Sequence, residues 1–301
     1  MPVNWLLLYG PLPHPQGLFQ AGFMKILIID RDRDNCEHMQ EMLMDTGAEI
    51  IFEPIKNKAV DMMRQQTYDA VFLDPTPQNE LRAFIMGVRR TLGTFPPIII
   101  TGHDLDRKAV MAAGANDYLA KPFDKETLLK QVEGSARIVA TSAQMADESE
   151  DFPSKDGIIA KSAFNQLYIT CLDRADRHGE RSFLIFAEVS NLDEIAAKDG
   201  PEAAAKVADA LRKNISRTRR TSDIAGHIKP AQFCLLLLRP QREDEPFLAA
   251  KRFGDNLREN HDLISTTPTK AILKVWLLEI PTGAIPAEHV VGADSSDAGQ
   301  A

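Results

Sequence analysis

Along the chain, short continuous apolar runs alternate with stretches where apolar residues recur every three or four positions. The first such run from Met24 is KILIID. An unbroken apolar run is what a strand covered on both faces requires. It leads into a helix-period stretch reaching Met44, then EIIFEP, a helix over 58–66, DAVFLD and a helix over 80–91. PIIIT, a helix over 105–113, DYLA and a helix from Lys125 follow. Strand and helix in strict alternation predict an α/β domain with a parallel, doubly wound sheet over residues 24–140. Sites in such sheets lie beyond the carboxyl ends of the strands, near the switch point of the winding.

A different order governs the rest. IVATSAQMADESEDFPSKDG continues the last helix and then turns acidic, so residues 141–156 read as a linker or helical stalk. Phe164, Leu167, Tyr168, Cys171, Leu172 and Ala175 share one helical stripe, stopped at Gly179. SFLIFAEV reads as a buried strand, 192–199 and 201–215 as helices, and SDIAGHI with FCLLLL as a hairpin. A helix over 247–260 and the strand ILKVWLLEI complete an α+β domain, mainly antiparallel, over 157–281. Residues 282–301 are polar and rich in small side chains, which predicts a disordered tail.

Composition narrows the field. A chain of 301 residues, 44% hydrophobic and 26% charged, is long enough for two packed domains. Its net charge of −8 gives no general attraction to nucleic acid or anionic membrane. The basic run RKNISRTRRTSD keeps helical period and lacks aromatics, so it reads as a solvated helix end. Cys36, Cys171 and Cys234 are odd in number and lie in apolar-patterned segments, which points to a reducing compartment, the cytoplasm. The cysteine and histidine spacings offer no structural zinc site. Residues 1–23 hold one short apolar run and several prolines without a basic lead, neither a signal peptide nor a membrane span. They read as a disordered extension, with Met24 an alternative start.

The strand ends of the first domain are polar. Asp30 and Asp32 follow the first strand, Asp74 ends the third, Thr101 the fourth, and Lys121 follows the fifth. Carboxylates, a hydroxyl and an ammonium converging on one edge suit a divalent cation and a transferred phosphoryl group. Asp74 would be the nucleophile, with Thr101 and Lys121 bonding the phosphoryl oxygens.

YDAVFLD, IIITG and GANDYLAKPF, at this spacing, resemble the flavodoxin-like receiver domain of bacterial response regulators. The resemblance implies phosphorylation of Asp74 by a sensor histidine kinase or phosphotransfer protein, with Thr101 the switch hydroxyl and Tyr118 the switch aromatic. It also implies Mg²⁺ held by Asp30, Asp32 and Asp74. Two departures bear on that set. Arg31 occupies the position of the family's direct metal ligand, and a cation there opposes a divalent ion. Pro75, next to Asp74, has no N–H to offer a phosphoryl oxygen.

The second domain resembles the GGDEF fold of diguanylate cyclases, on DIAGHI before the turn, Phe233 closing it and the apolar run beyond. Where that family has its glycines and acids, this chain has Lys229, Pro230, Ala231 and Gln232. Proline lacks the flexibility and the N–H that a phosphate cradle needs, and alanine ligates no metal. Glu188 stands for the family's strand-end acid, and Ala196 and Ala205 for its guanine readers. Arg220 and Asp223 keep the R-x-x-D spacing of the family's cyclic di-GMP site, nine residues before the turn. An Arg can pair a phosphate and an Asp can accept from guanine.

Together these readings describe a cytoplasmic phosphorelay response regulator with an inactive GGDEF-like output domain. It would act through an unidentified downstream protein, with cyclic di-GMP a candidate ligand at Arg220 and Asp223 and a homodimer among its allowed assemblies. Nucleic acid and membrane are not expected partners. The rivals are an active diguanylate cyclase, opposed by the altered turn, and a constitutive pseudo-receiver scaffold, favoured by Arg31 and Pro75.

Overall fold

The computed structural model describes residues 24–76, 81–92 and 95–291. The expectations for 1–23 and for the end of the tail lie outside them. The described chain divides into two compact units. The first takes in the residues up to Gln144 together with Thr170–Arg181 and Ile280–Ala284. The second holds Met145–Ile169, Ser182–Glu279 and the residues from Ile285. The boundaries expected at 140 and 157 therefore miss two segments of the first unit. Their contacts come from residues far along the chain and leave no local pattern.

In the first unit β1 (Lys25–Ile29), β2 (Glu49–Phe52), β3 (Ala70–Leu73), β4 (Ile98–Gly102) and β5 (Asp117–Ala120) form a five-stranded sheet in the order β2-β1-β3-β4-β5. All four neighbouring pairs in it are parallel. Helices α1 (Arg33–Leu43), α2 (Lys56–Gln65), α3 (Leu81–Leu92), α4 (Arg107–Ala112) and α5 (Lys125–Ala146) connect and follow the strands. Residues of β1 alternate between two cores: Leu27 and Ile29 pack with Met63, Ile85 and Val110, while Ile26 and Ile28 pack with Met39, Leu43 and Leu128. That is why the strand reads as an unbroken apolar run. The winding reverses between β1 and β3, so the crevice at their carboxyl ends is where a ligand is expected.

The second unit is built on a six-stranded sheet in the order β11-β10-β7-β9-β8-β6. Its strands are β6 (Ile158–Ile159), β7 (Ser182–Val189), β8 (Ile224–Lys229), β9 (Gln232–Leu238), β10 (Leu273–Ile280) and β11 (Ala287–Val291). Helices α6 (Lys161–His178), α7 (Leu192–Asp199), α8 (Pro201–Thr218), α9 (Glu245–Glu259) and α10 (His261–Ile264) complete the chain. The sheet is mixed: β6 runs parallel to β8 over two residues, while β7–β9, β8–β9 and β10–β11 are antiparallel. β11 also corrects the expectation of disorder from residue 282. It pairs with β10 from Leu273↔Val291 to Leu277↔Ala287.

Gly226 in β8 shows how closely helix and sheet approach. A Cβ there would stand 2.5 Å from the ring of Phe164 in α6, so only glycine lets that ring lie on the strand.

Candidate functional site

The strands bring Asp30, Asp74 and Lys121 to one edge of the first unit's sheet. Pairing of β1 with β3 sets Ile29 beside Leu73, and the next residue on each strand is an acid. Lys121 follows β5, and its Nζ donates to Asp30 Oδ2 and to Asp74 Oδ2, each at 2.7 Å. Side-chain exposures of 8% for Lys121, 4% for Asp30 and 16% for Asp74 make this a nearly dry, charge-assisted triad. Burial works against ionisation of Asp74, yet the hydrogen bonds from Lys121 and Thr76 outweigh it and hold the carboxyl below its ordinary range. For Lys121, burial opposes the charge, but the bonds to Asp30 and Asp74 prevail and raise its pKa. An ionised carboxylate with one oxygen on an ammonium has the charge state required of a nucleophile toward phosphorus.

Two partners of this triad have no signal in the strand-end pattern. Asn35, in the first turns of α1, donates from Nδ2 to Asp30 Oδ2 at 2.8 Å. Thr76 gives Asp74 Oδ1 its backbone N–H at 2.9 Å and its hydroxyl at 2.5 Å. The spacing of Asp74 and Thr76 suits an Asx-type turn, which is the cue that could have found the second. Lys56, at the start of α2, donates to the carbonyls of Pro75 and Thr76 at 2.8 and 3.1 Å. Pro75 thus contributes its carbonyl where it has no N–H. A pocket of about 210 Å³ lies over this edge, lined by Asp30, Arg31, Asp32, Lys56, Asp74 and Thr76 among others.

The other expected residues fall in different places. Thr101 is in β4, 1% exposed. Tyr118 is half-buried, its hydroxyl donating to Gly102 O at 2.9 Å and accepting from Leu105 N at 3.2 Å. Asp32 is exposed and caps α1, accepting from the N–H groups of Asp34 and Asn35.

The parallel sheet, its switch-point crevice and the lysine bridging two strand-end carboxylates define a doubly wound α/β domain with a charged site at its strand ends. Residues 26–133 belong to the response regulator receiver domain family of two-component systems. Over 133 residues the chain is 29% identical to the transcriptional regulatory protein CpxR of Escherichia coli (strain K12), covering 43% of this chain and 56% of that protein. The chain thus spans little more than half the length of that relative. It is 31% identical to an uncharacterized 14.6 kDa protein of Leptolyngbya boryana, covering 36% of this chain and 88% of that one. A solved receiver domain of sensor histidine kinase PA1611 from Pseudomonas aeruginosa PAO1, with a magnesium ion coordinated in its active site cleft, is 26% identical at a TM-score of 0.35. It covers 38% of this chain and 98% of that domain.

Receiver domains typically bind Mg²⁺ at this place, so the fit of these residues to a divalent ion matters. It is poor. Asp30 and Asp74 both spend an oxygen on Lys121, Asp32 caps a helix, and Arg31 lines the pocket. Among the described residues no three His, Cys, Asp or Glu side chains form a group able to hold a metal ion. The expected set of Asp30, Asp32 and Asp74 is therefore not assembled. The physical reason is that the buried ammonium already takes an oxygen of two of the three acids, while the third caps a helix.

In the second unit Pro230 and Ala231 form the tip of the β8–β9 hairpin, closed by pairing of Lys229 with Gln232. Glu188 accepts from Gln232 Nε2 at 3.1 Å, and burial raises its carboxyl against the pull of that bond. Ala196 packs against the core and Ala205 is exposed. Arg220 and Asp223 are adjacent, but not as two free side chains. Asp223 Oδ2 accepts the backbone N–H of Arg220 at 2.9 Å and lies 3.7 Å from Arg252 Nη2. The Arg220 guanidinium is 61% exposed and 3.8 Å from Glu245. Among the described residues no helix is long and apolar enough to cross a membrane.

Proposed function

We propose that this chain is a phosphorelay response regulator that accepts a phosphoryl group on Asp74 from a sensor histidine kinase or phosphotransfer protein. Its second unit is a degenerate GGDEF-like output domain that acts by contact with a downstream protein and does not turn over GTP. The supporting observation is Lys121 Nζ held 2.7 Å from both Asp30 and Asp74 at the carboxyl edge of the sheet. That ammonium keeps Asp74 ionised before transfer and faces the phosphoryl oxygens afterwards. Tyr118, with its hydroxyl on Gly102 beside Thr101, is placed to change partner when Thr101 is drawn toward the phosphoryl group.

For the output unit, a proline and an alanine at the hairpin tip offer neither a phosphate cradle nor a metal ligand. The cyclic di-GMP reading has narrower support, an exposed Arg220, because Asp223 is committed to the turn it closes. The test is intact-mass spectrometry after incubation with a small acyl phosphate. One phosphoryl adduct is expected in the parent and none in Asp74→Asn, and the same preparation should make no cyclic di-GMP from GTP. An adduct that persists in Asp74→Asn overturns the acceptor assignment.

A further inference from the structure

Phosphorylation replaces the single negative charge of Asp74 with about two, at a pocket edge that also carries Asp30 and Asp32. Something positive must offset them, or the transfer is repelled by its own acceptor. The residues able to serve a divalent ion are engaged elsewhere, whereas the same pocket is lined by Arg31 and Lys56. Lys56 is not a loose surface lysine. Its ammonium is fixed on the carbonyls of Pro75 and Thr76, the two residues that follow Asp74. Arg31 directly follows Asp30 and lines the same pocket.

We propose that this receiver takes its phosphoryl group without a divalent metal, with Arg31 and Lys56 supplying the positive charge that faces the phosphoryl oxygens. The inference rests on Asp74 being the acceptor. With an acyl phosphate as donor the step balances without a proton. An oxygen of the Asp74 carboxylate bonds to phosphorus, the P–O bond to the donor's carboxylate breaks, and its electron pair leaves with that carboxylate. Arg31 contributes donors in a planar fork suited to two phosphoryl oxygens, and Lys56 a point charge. Lys121, between Asp30 and Asp74, can follow the charge as it moves from carboxylate to phosphoryl group.

The experiment measures labelling of the full chain by acetyl phosphate, by intact mass, in excess EDTA and in millimolar Mg²⁺. The parent is expected to label at the same rate in both. Arg31→Asp is expected to label only with Mg²⁺, and Lys56→Gln to label about tenfold more slowly than the parent in EDTA. Labelling of the parent that collapses in EDTA overturns the proposal. So does a Lys56→Gln rate equal to the parent's. If the parent is silent in both conditions while Arg31→Asp labels with Mg²⁺, the metal-free route fails and Asp74 as acceptor survives. Silence in every variant removes both.

Discussion

Lys121 ties together the two carboxylates of the strand-end site. Its replacement by Ala leaves two nearly buried carboxylates facing each other with no cation between them. Breaking a buried pair in this way costs about 3 kcal/mol or more, so Lys121→Ala should lower the urea midpoint of the first unit at neutral pH. Asp30→Asn in the same chain should recover part of the loss by removing the repulsion. The pH dependence has a definite sign. Asp74 is held below its ordinary value, so its contribution is present above that value and is lost as pH falls through the lowered one. The gap between parent and Lys121→Ala should therefore close on acidification. A gap that widens in acid would contradict the triad. At this scale the acids and the lysine were legible, because their types and their places at strand ends carry the chemistry. Asn35 and Thr76 were not, because an amide or hydroxyl near a strand end is ordinary until its partner atom is known.

Among the elements, the hairpin β8–β9 forms where its apolar pattern predicts it, yet it carries a ring stack that the pattern does not show. His227 lies on it between two phenylalanines, with ring centroids 3.9 Å from Phe152 and 4.4 Å from Phe233. Phe152 comes from the segment read as linker, so part of that segment packs on the sheet within the second unit. Burial lowers the pKa of the imidazole, ahead of the opposing bond to the Pro230 carbonyl. A lowered base is protonated more readily when unfolded, so its contribution is present above about pH 6.5 and lost as pH falls below that. His227→Phe keeps three stacked rings and removes the proton. The slope of stability between about pH 7 and pH 5 should flatten in that variant, read by Trp276 in a Trp5→Phe background. An unchanged slope would place the titrating group elsewhere. β11 marks the limit of pattern reading for elements. AEHVV offers one short alternation amid polar residues, and its strand identity comes from the partner β10 rather than from itself.

On the scale of the whole molecule, the first unit is discontinuous in sequence. Arg89 of α3 and Asp176 of α6 form a buried ion pair inside it, Nε to Oδ2 at 2.8 Å, with side chains 7% and 8% exposed. The two atoms touch as ions without the alignment of a good hydrogen bond. Burial pushes the Asp176 carboxyl up to about 6 in spite of Arg89, and burial also lowers the pKa of Arg89 in spite of Asp176. Desolvation on this scale means that either single replacement, Arg89→Met or Asp176→Leu, should destabilise by about 3–5 kcal/mol. The double replacement should return close to the parent, and calorimetric melts of the variants decide it. A double variant as weak as the sum of the singles would mean that the residues act independently. Nothing in the sequence links positions 89 and 176, since neither lies in a motif and each alone reads as a solvated helix charge. Asn116 makes a similar reach, donating to the carbonyl of Pro281 at 3.1 Å. Order of synthesis then matters. A ribosome delivers the receiver strands well before Ile280–Ala284, so the receiver unit must wait for its last pieces. A nascent or prematurely terminated product would carry Asp74 and Lys121 without the segments that complete their unit.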